Sequence, residues 1–134
     1  MFEPHPPPSQ AFVDVETLDD LQRLVDASTH GPIVIFKHSL TCGTSAYARE
    51  EVEAFAEAHP EVTVYLVRVQ AARAVSSAIE SRFRIRHESP QVLLVDQGEV
   101  RWKASHFRVT ATAIAAALEA MPGSDVPSTR RTGR

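Results

Sequence analysis

The chain holds one cysteine, Cys42, in the run Phe36-Lys37-His38-Ser39-Leu40-Thr41-Cys42-Gly43-Thr44-Ser45. An apolar, β-rich stretch ends a few residues before it, and a helical pattern begins at or just after it. That places the thiol on the first turn of a helix, where unpaired amide hydrogens and the positive end of the helix dipole favour thiolate over thiol. The spacing Cys-x-x-Ser is the Cys-x-x-Cys of dithiol oxidoreductases with a hydroxyl in place of the second sulfur. Such a site can attack a disulfide and hold a mixed disulfide, but it cannot resolve one from within its own motif. A free cysteine is most often a small buried apolar residue. Thr41, Gly43, Thr44 and Ser45 are small and polar and offer little to bury a sulfur, so a reactive thiol is the better reading. Lys37 and His38 would lower its pKa if they point towards it. Ser45, three residues on, either caps the helix start or donates its hydroxyl to the thiolate. The backbone amide of Thr44 is an alternative donor.

These residues need a frame. Thr17 to Val25 predicts an amphipathic helix with Thr17 as N-cap, Asp20 in the first turn, and Leu18, Leu21, Leu24 and Val25 on one face. Gly31-Pro32 stops it. Ile33-Val34-Ile35-Phe36 is a continuous apolar run, as in a strand buried on both faces. A helix is expected from about Thr44 to Ala58, ended by His59-Pro60. Val62 to Val69 is β-branched and reads as a strand. A short helix from Ala74 to Phe83 follows, then a strand at Gln91–Val95, a tight turn at Asp96-Gln97-Gly98, and a returning strand at Glu99–Ala104. Thr110 to Met121 predicts an alanine-rich helix.

Two strand-helix-strand units imply parallel pairing through helical crossovers, and the hairpin adds an antiparallel strand at one edge. The fold class is therefore α/β, thioredoxin-like, with a central four-stranded mixed sheet flanked by helices. The expected organisation is a disordered Pro-rich tail at 1–10, a thioredoxin-like domain at 11–121, and a disordered tail at 122–134. In this topology Cys42 lies at the carboxyl end of a central strand, where open α/β sheets bind ligands.

Glu88-Ser89-Pro90-Gln91 directly precedes a buried strand. Proline at a strand start is ordinary, and most X-Pro bonds are trans. The thioredoxin-like topology nevertheless carries a cis-proline here, facing the cysteine, so Pro90 is expected to be cis. The backbone of Ser89 would then pair with an extended thiol ligand.

No pair among His5, His30, His38, His59, His87 and His106 has helical zinc spacing, and no second cysteine supports a metal site. His38, His87 and His106 border elements that end near the thiol. The arginines Arg68, Arg73, Arg82, Arg84, Arg86 and Arg101 are scattered, and one or two could bind the carboxylates of a thiol ligand.

Composition narrows the function classes. A length of 134 residues suits one domain, and a net charge of −3 argues against a general nucleic-acid binder. No apolar run approaches the ~18 residues of a membrane span. The first residues have neither a basic region nor an apolar stretch of a secretory signal. With a single cysteine, a reducing cytoplasm is the expected location.

Four stretches together resemble a known family. They are Phe36-Lys37-His38-Ser39 before Thr41-Cys42-x-x-Ser45, Val69-Gln70-Ala71 with Val75-Ser76, His87-Glu88-Ser89-Pro90-Gln91, and Trp102-x-Ala104-Ser105-His106-Phe107. In this order, over about Phe12 to Met121, they resemble the monothiol bacilliredoxins of the bacillithiol system. The resemblance implies removal of bacillithiol from protein mixed disulfides. Cys42 and Ser45 would be the catalytic pair, with ligand contacts at Lys37, Thr41, Gly43, Thr44, Ser89, Pro90 and His106. It further implies bacillithiol as co-substrate with no bound cofactor, and bacillithiolated clients as partners. Neither nucleic acid nor a membrane is expected as a partner, and a monomer is expected. The chain departs from the family's Thr-Cys-Pro-Ile-Ser pattern by having Gly43-Thr44 in place of Pro-Ile. Gly43 restores an amide donor and loosens the turn. The Cys42-Gly43-Thr44-Ser45 run is also close to the Cys-Gly-Phe-Ser motif of monothiol glutaredoxins, which carry a [2Fe-2S] cluster between two subunits. A thioredoxin-like module that binds partners without turnover is the third alternative.

Overall fold

The structure is a computed structural model and describes residues 11–39 and 43–121. The two expected tails lie outside the described residues, as does the segment 40–42, with Thr41 and Cys42. The elements in chain order are β1 (Val13–Asp14), α1 (Leu18–Ala27), β2 (Ile33–His38), α2 (Gly43–Ala58), β3 (Val64–Arg68), α3 (Arg73–Phe83), β4 (Gln91–Asp96), β5 (Glu99–Ser105) and α4 (Ala111–Ala120). Short 3-10 turns follow α1 at Ser28–His30 and β5 at His106–Arg108.

Local chemistry sets the boundaries. The Thr17 hydroxyl accepts from the Asp20 amide at 3.0 Å, and the Asp20 carboxylate accepts from the Thr17 amide at 3.2 Å. This reciprocal capping box starts α1 one residue after the expected cap. Thr110 caps α4 in the same way, accepting from the Ala113 amide at 3.1 Å. The hairpin turn at Gln97-Gly98 has positive φ at both residues, 55° and 76°, which is the backbone a two-residue connection needs and glycine tolerates.

The sheet order is β1-β3-β2-β4-β5. β1 and β2 run parallel to β3, while β4 is antiparallel to β2 and β5 to β4. The parallel crossovers and the edge hairpin are as expected. The sheet has five strands rather than four. The extra strand, β1, is two residues long and both are exposed, so it carries neither the length nor the apolar alternation that marks a strand. It is held by its pairing to Tyr65 and Leu66 and by the Val15 amide donating to the Leu66 carbonyl at 2.9 Å.

Two cores sandwich the sheet. Val34, Phe36, Leu66, Val92 and Leu94 face α2 and α4, whose Val52, Phe55 and Ile114 are fully buried there. Ile33, Ile35, Val67, Leu93 and Val95 face α1 and α3, against Leu24, Val75 and Ile79. Both faces of β2 are thus covered, which is why it reads as an unbroken apolar run. The period of two continues past the apolar residues. It puts Lys37 on the α1/α3 side and His38 on the α2/α4 side, where its ring lies 5.6 Å from that of Phe36.

Candidate functional site

The registers bring four chain ends to one edge of the sheet. His38, at the carboxyl end of β2, pairs with Arg68 at the end of β3. Lys37 pairs with Gln91 at the start of β4, and Gln91 pairs with Ser105 at the end of β5. The end of β2, the β3–α3 loop, the Ser89–Pro90 turn and the His106 turn therefore lie side by side at this end of the sheet. This is the carboxyl end of the parallel strands.

Hydrogen bonds tie the flanks of Cys42 together. The Ser39 amide donates to the Ser45 hydroxyl at 3.3 Å, so the end of β2 is fastened to the first turn of α2 across the segment 40–42. Ser45 is 1 % exposed. Its oxygen serves this scaffold bond as the acceptor. Gln70 of the β3–α3 loop donates its side-chain amide to the Ser39 hydroxyl at 2.9 Å, and the Val69 amide donates to the His38 carbonyl at 2.9 Å. α2 begins at Gly43, so Gly43 and Thr44 belong to its first turn, directly after Cys42 in the sequence. Replacing Ser45 by alanine removes a buried acceptor and should lower the unfolding free energy by about 1 kcal/mol, read as a urea midpoint. A parallel rise of the Cys42 titration, followed by thiolate absorbance, is expected only if the hydroxyl also serves the sulfur.

The Ser89–Pro90 peptide bond is cis, as expected. The Pro90 carbonyl accepts from the His106 amide at 3.0 Å, with His106 at φ 56°. This bond fixes the exposed His106 beside the turn. Glu88 accepts from the Ser105 hydroxyl, and that bond holds its carboxyl below the usual carboxylate range.

Four buried polar atoms have no hydrogen-bond partner among the described residues: Lys37 Nζ, His38 Nδ1, Ser89 Oγ and Gln91 Oε1. All four belong to the last two residues of β2 or the first residues leading into β4. Buried polar groups are normally paired, so a concentration at one place marks a site rather than a scaffold. Burial pushes Lys37 down to about 8, against the pull of Glu80 and Glu88. Burial also holds His38 below its ordinary value, with Arg49 and Arg68 adding to the effect. A neutral His38 adds no positive charge for a thiolate. Lys37 extends on the opposite face of the sheet from α2.

Sequence reasoning singled out Lys37, Ser45, Ser89, Pro90 and His106, and all five lie at this edge. It gave no role to Gln91 or to Ser39. A signal for Gln91 was present, since a lone amide directly precedes the apolar run Val92–Val95. It also missed an exposed aromatic pair. The rings of Tyr47 and Phe107 are 5.9 Å apart, joining the start of α2 to the turn after β5. Among the described residues no three His, Cys, Asp or Glu side chains gather as metal ligands, and no helix is long and apolar enough to cross a membrane.

The family described as monothiol bacilliredoxin BrxC matches residues 13–114. Among solved structures, one titled as a proposed oxidoreductase with a thioredoxin fold is 25% identical, at a TM-score of 0.73 over 82% of this chain and 96% of its own. Fasciola hepatica thioredoxin is 19% identical, at 0.67 over 81% of this chain and 97% of its own. Mitochondrial thioredoxin 3 from Saccharomyces cerevisiae is 15% identical, at 0.67 over 86% of this chain and 100% of its own. The fold is thioredoxin-like, and the matches are those of a thiol redox protein.

Proposed function

The chain belongs to the monothiol bacilliredoxin family, and from that premise we propose that it removes bacillithiol from protein mixed disulfides with Cys42 as the nucleophile. The Cys42 thiolate attacks the bacillithiol sulfur. The bond between bacillithiol and the client cysteine breaks, and the client leaves as a thiolate that takes a proton from water. Bacillithiol now sits on Cys42 as a mixed disulfide. The thiolate of a second bacillithiol attacks the bacillithiol sulfur of that bond, forming bacillithiol disulfide and returning Cys42 as thiolate. One client mixed disulfide and one free bacillithiol thiol thus become one client thiol and one bacillithiol disulfide, so atoms and electrons balance with a single protein sulfur.

Each remaining residue has a proposed task. The amides at the start of α2, from Gly43 and Thr44, and the Ser45 hydroxyl stabilise the thiolate as attacking and leaving group. Ser89 and Pro90, with Thr41 and His106, form the platform on which the thiol lies. Lys37 contributes positive charge from beneath the sheet edge. The protein acts as a monomer in a reducing cytoplasm, on bacillithiolated client proteins.

The observation that carries this reading is the bond between Ser39 and Ser45. These two residues bracket the only cysteine in the sequence, and their bond anchors its flanks at the sheet end where Ser89–Pro90 and His106 meet. The test is a transfer assay by intact mass. A client carrying one bacillithiol is mixed with the reduced chain, and one bacillithiol mass should move from client to chain, then leave when free bacillithiol is added. An unchanged client overturns the reading. The same sample scanned in the visible after addition of iron, sulfide and thiol separates it from a cluster carrier.

A further inference from the structure

Beside this edge lies a groove of about 290 Å³ between α3 and the loop that leads to β4. Its walls include Gln70, Arg73, Ser76, Ser77, Glu80 and His87. Arg73, Ser76, Ser77 and Glu80 are spaced at three, four and seven residues, so they share one face of α3. Arg73 opens the helix, and Ala72 before it supplies no side-chain cap. The first-turn amides and the guanidinium thus make this end of the groove electropositive. At the other end Glu80 is engaged. Its carboxylate accepts from the His87 amide at 3.2 Å and pulls on the buried charge of Lys37. The His87 ring lies 3.4 Å from the Ser76 hydroxyl.

Three features say that this groove is built for a ligand. Lys37 is fully buried, and its ammonium has no hydrogen-bond partner among the described residues. It lies on the α3 side of the sheet, with Ile33 and Ile35 of the same strand, and its charge adds to burial in holding His87 of the groove wall below its ordinary value. Arg73 is exposed at the first position of α3 and, like several other arginines, has no ion-pair partner among the described residues, so its guanidinium is open to a carboxylate entering the groove. Finally, the groove is joined to the flanks of Cys42. Gln70 in its wall donates to Ser39, and Ser39 donates to Ser45.

We propose that this groove is the subsite for the carboxylate-bearing end of the low-molecular-weight thiol whose sulfur reaches Cys42. Arg73 pairs with the carboxylate, and the Ser76 and Ser77 hydroxyls take its neutral polar groups. The seven residues from Arg73 to Glu80 span about 10 Å along the helix, the length of a small thiol conjugate rather than a protein segment. The charge of Lys37, set behind Glu80 and His87, offsets the one acid in the wall so that an anion is not repelled. This assignment rests on the reading that Cys42 exchanges with such a thiol, and it explains how a monothiol site would select an acidic thiol over a neutral one.

The test separates binding from chemistry. The full chain carrying Cys42→Ala, which cannot exchange, is titrated with bacillithiol disulfide and followed by backbone amide NMR. The amides of Arg73, Ser76 and Ser77 should shift, and Arg73→Ala in the same background should weaken binding about tenfold, with Arg73→Lys intermediate. 2-Hydroxyethyl disulfide, which has no carboxylate, should leave these amides unmoved. In the Cys42 chain, Arg73→Ala should raise KM for the bacillithiolated substrate with kcat unchanged. Absence of shifts at α3, or shifts that ignore Arg73, overturns the subsite even if the transfer assay succeeds. Arg73-dependent shifts without transfer leave the subsite standing and remove the proposed reaction.

Discussion

Serine in place of Cys42 should abolish transfer of bacillithiol to the chain, with a loss of at least about a thousandfold against the parent in client reduction. Disulfide exchange requires a nucleophile that is anionic near neutral pH and can form a bond to sulfur. A serine hydroxyl is neither, since it is not ionised in this range and offers no sulfur to be resolved by a second thiol. No other residue can replace it, because the chain holds no second cysteine. The substitution is nearly isosteric, so far-UV circular dichroism and the urea midpoint should match those of the parent and show that the fold is intact. The measurement is intact mass of both proteins over time. A Cys42→Ser chain that still lowers the client's mass would mean that another group carries the electrons, and the monothiol route would have to be abandoned. Pre-treatment of the parent with one equivalent of iodoacetamide should give the same loss without any mutation.

Much of the frame was legible because its elements follow simple periodicities. β2 and β4 are apolar on both faces and are covered on both faces. β5 alternates in burial along its length, as an edge strand with one solvated face should. α1 announces itself by Thr17 and Asp20, and these two residues do form the cap. β1 was not legible, because Val13 is 48 % exposed and the strand exists only through its partner. Pairing of that kind is tertiary information. No local pattern in a two-residue segment encodes it.

The site divides along the same line. Ser45 and Pro90 could be located from spacing, since one is a helical turn after Cys42 and the other opens a strand. Their partners could not. That Ser45 accepts from Ser39, and that Pro90 accepts from His106, depends on how the loops fold over the sheet end. Lys37 is the instructive case. Its place next to an apolar run marked it as unusual, and proximity in sequence suggested that it serves the thiol directly. The strand's period of two instead sends it to the α3 side, where its charge interacts with those of Glu80 and His87. Sequence distance and direction are different quantities in a strand, and one residue changes the face.

Methionine at position 37 should make the protein more stable at pH 7, by about 1–3 kcal/mol. Lys37 is 0 % exposed and its ammonium has no hydrogen-bond partner among the described residues, while burial lowers its pKa from 10.5 to about 8. That displacement corresponds to at most about 3.5 kcal/mol of penalty on the charged form. The sign follows from proton counts. Below pH 8 both folded and unfolded chains carry the proton, and the folded chain bears the full penalty. Between pH 8 and 10.5 the unfolded chain holds the proton that the folded chain has released, so the lysine's penalty fades as pH rises. The advantage of Lys37→Met over the parent should therefore be greatest at pH 7 and mostly gone by about pH 10. Urea unfolding of both chains at pH 7 and 9.5 reads this directly, and comparing the two chains cancels other groups that titrate there. A methionine variant that is less stable at pH 7, or whose gain is the same at both pH values, would show that the ammonium is satisfied in solution. A gain in stability joined to a higher KM for the acidic thiol is the expected outcome. A charge retained in a core that would be firmer without it is explained by what it does for the groove in front of it.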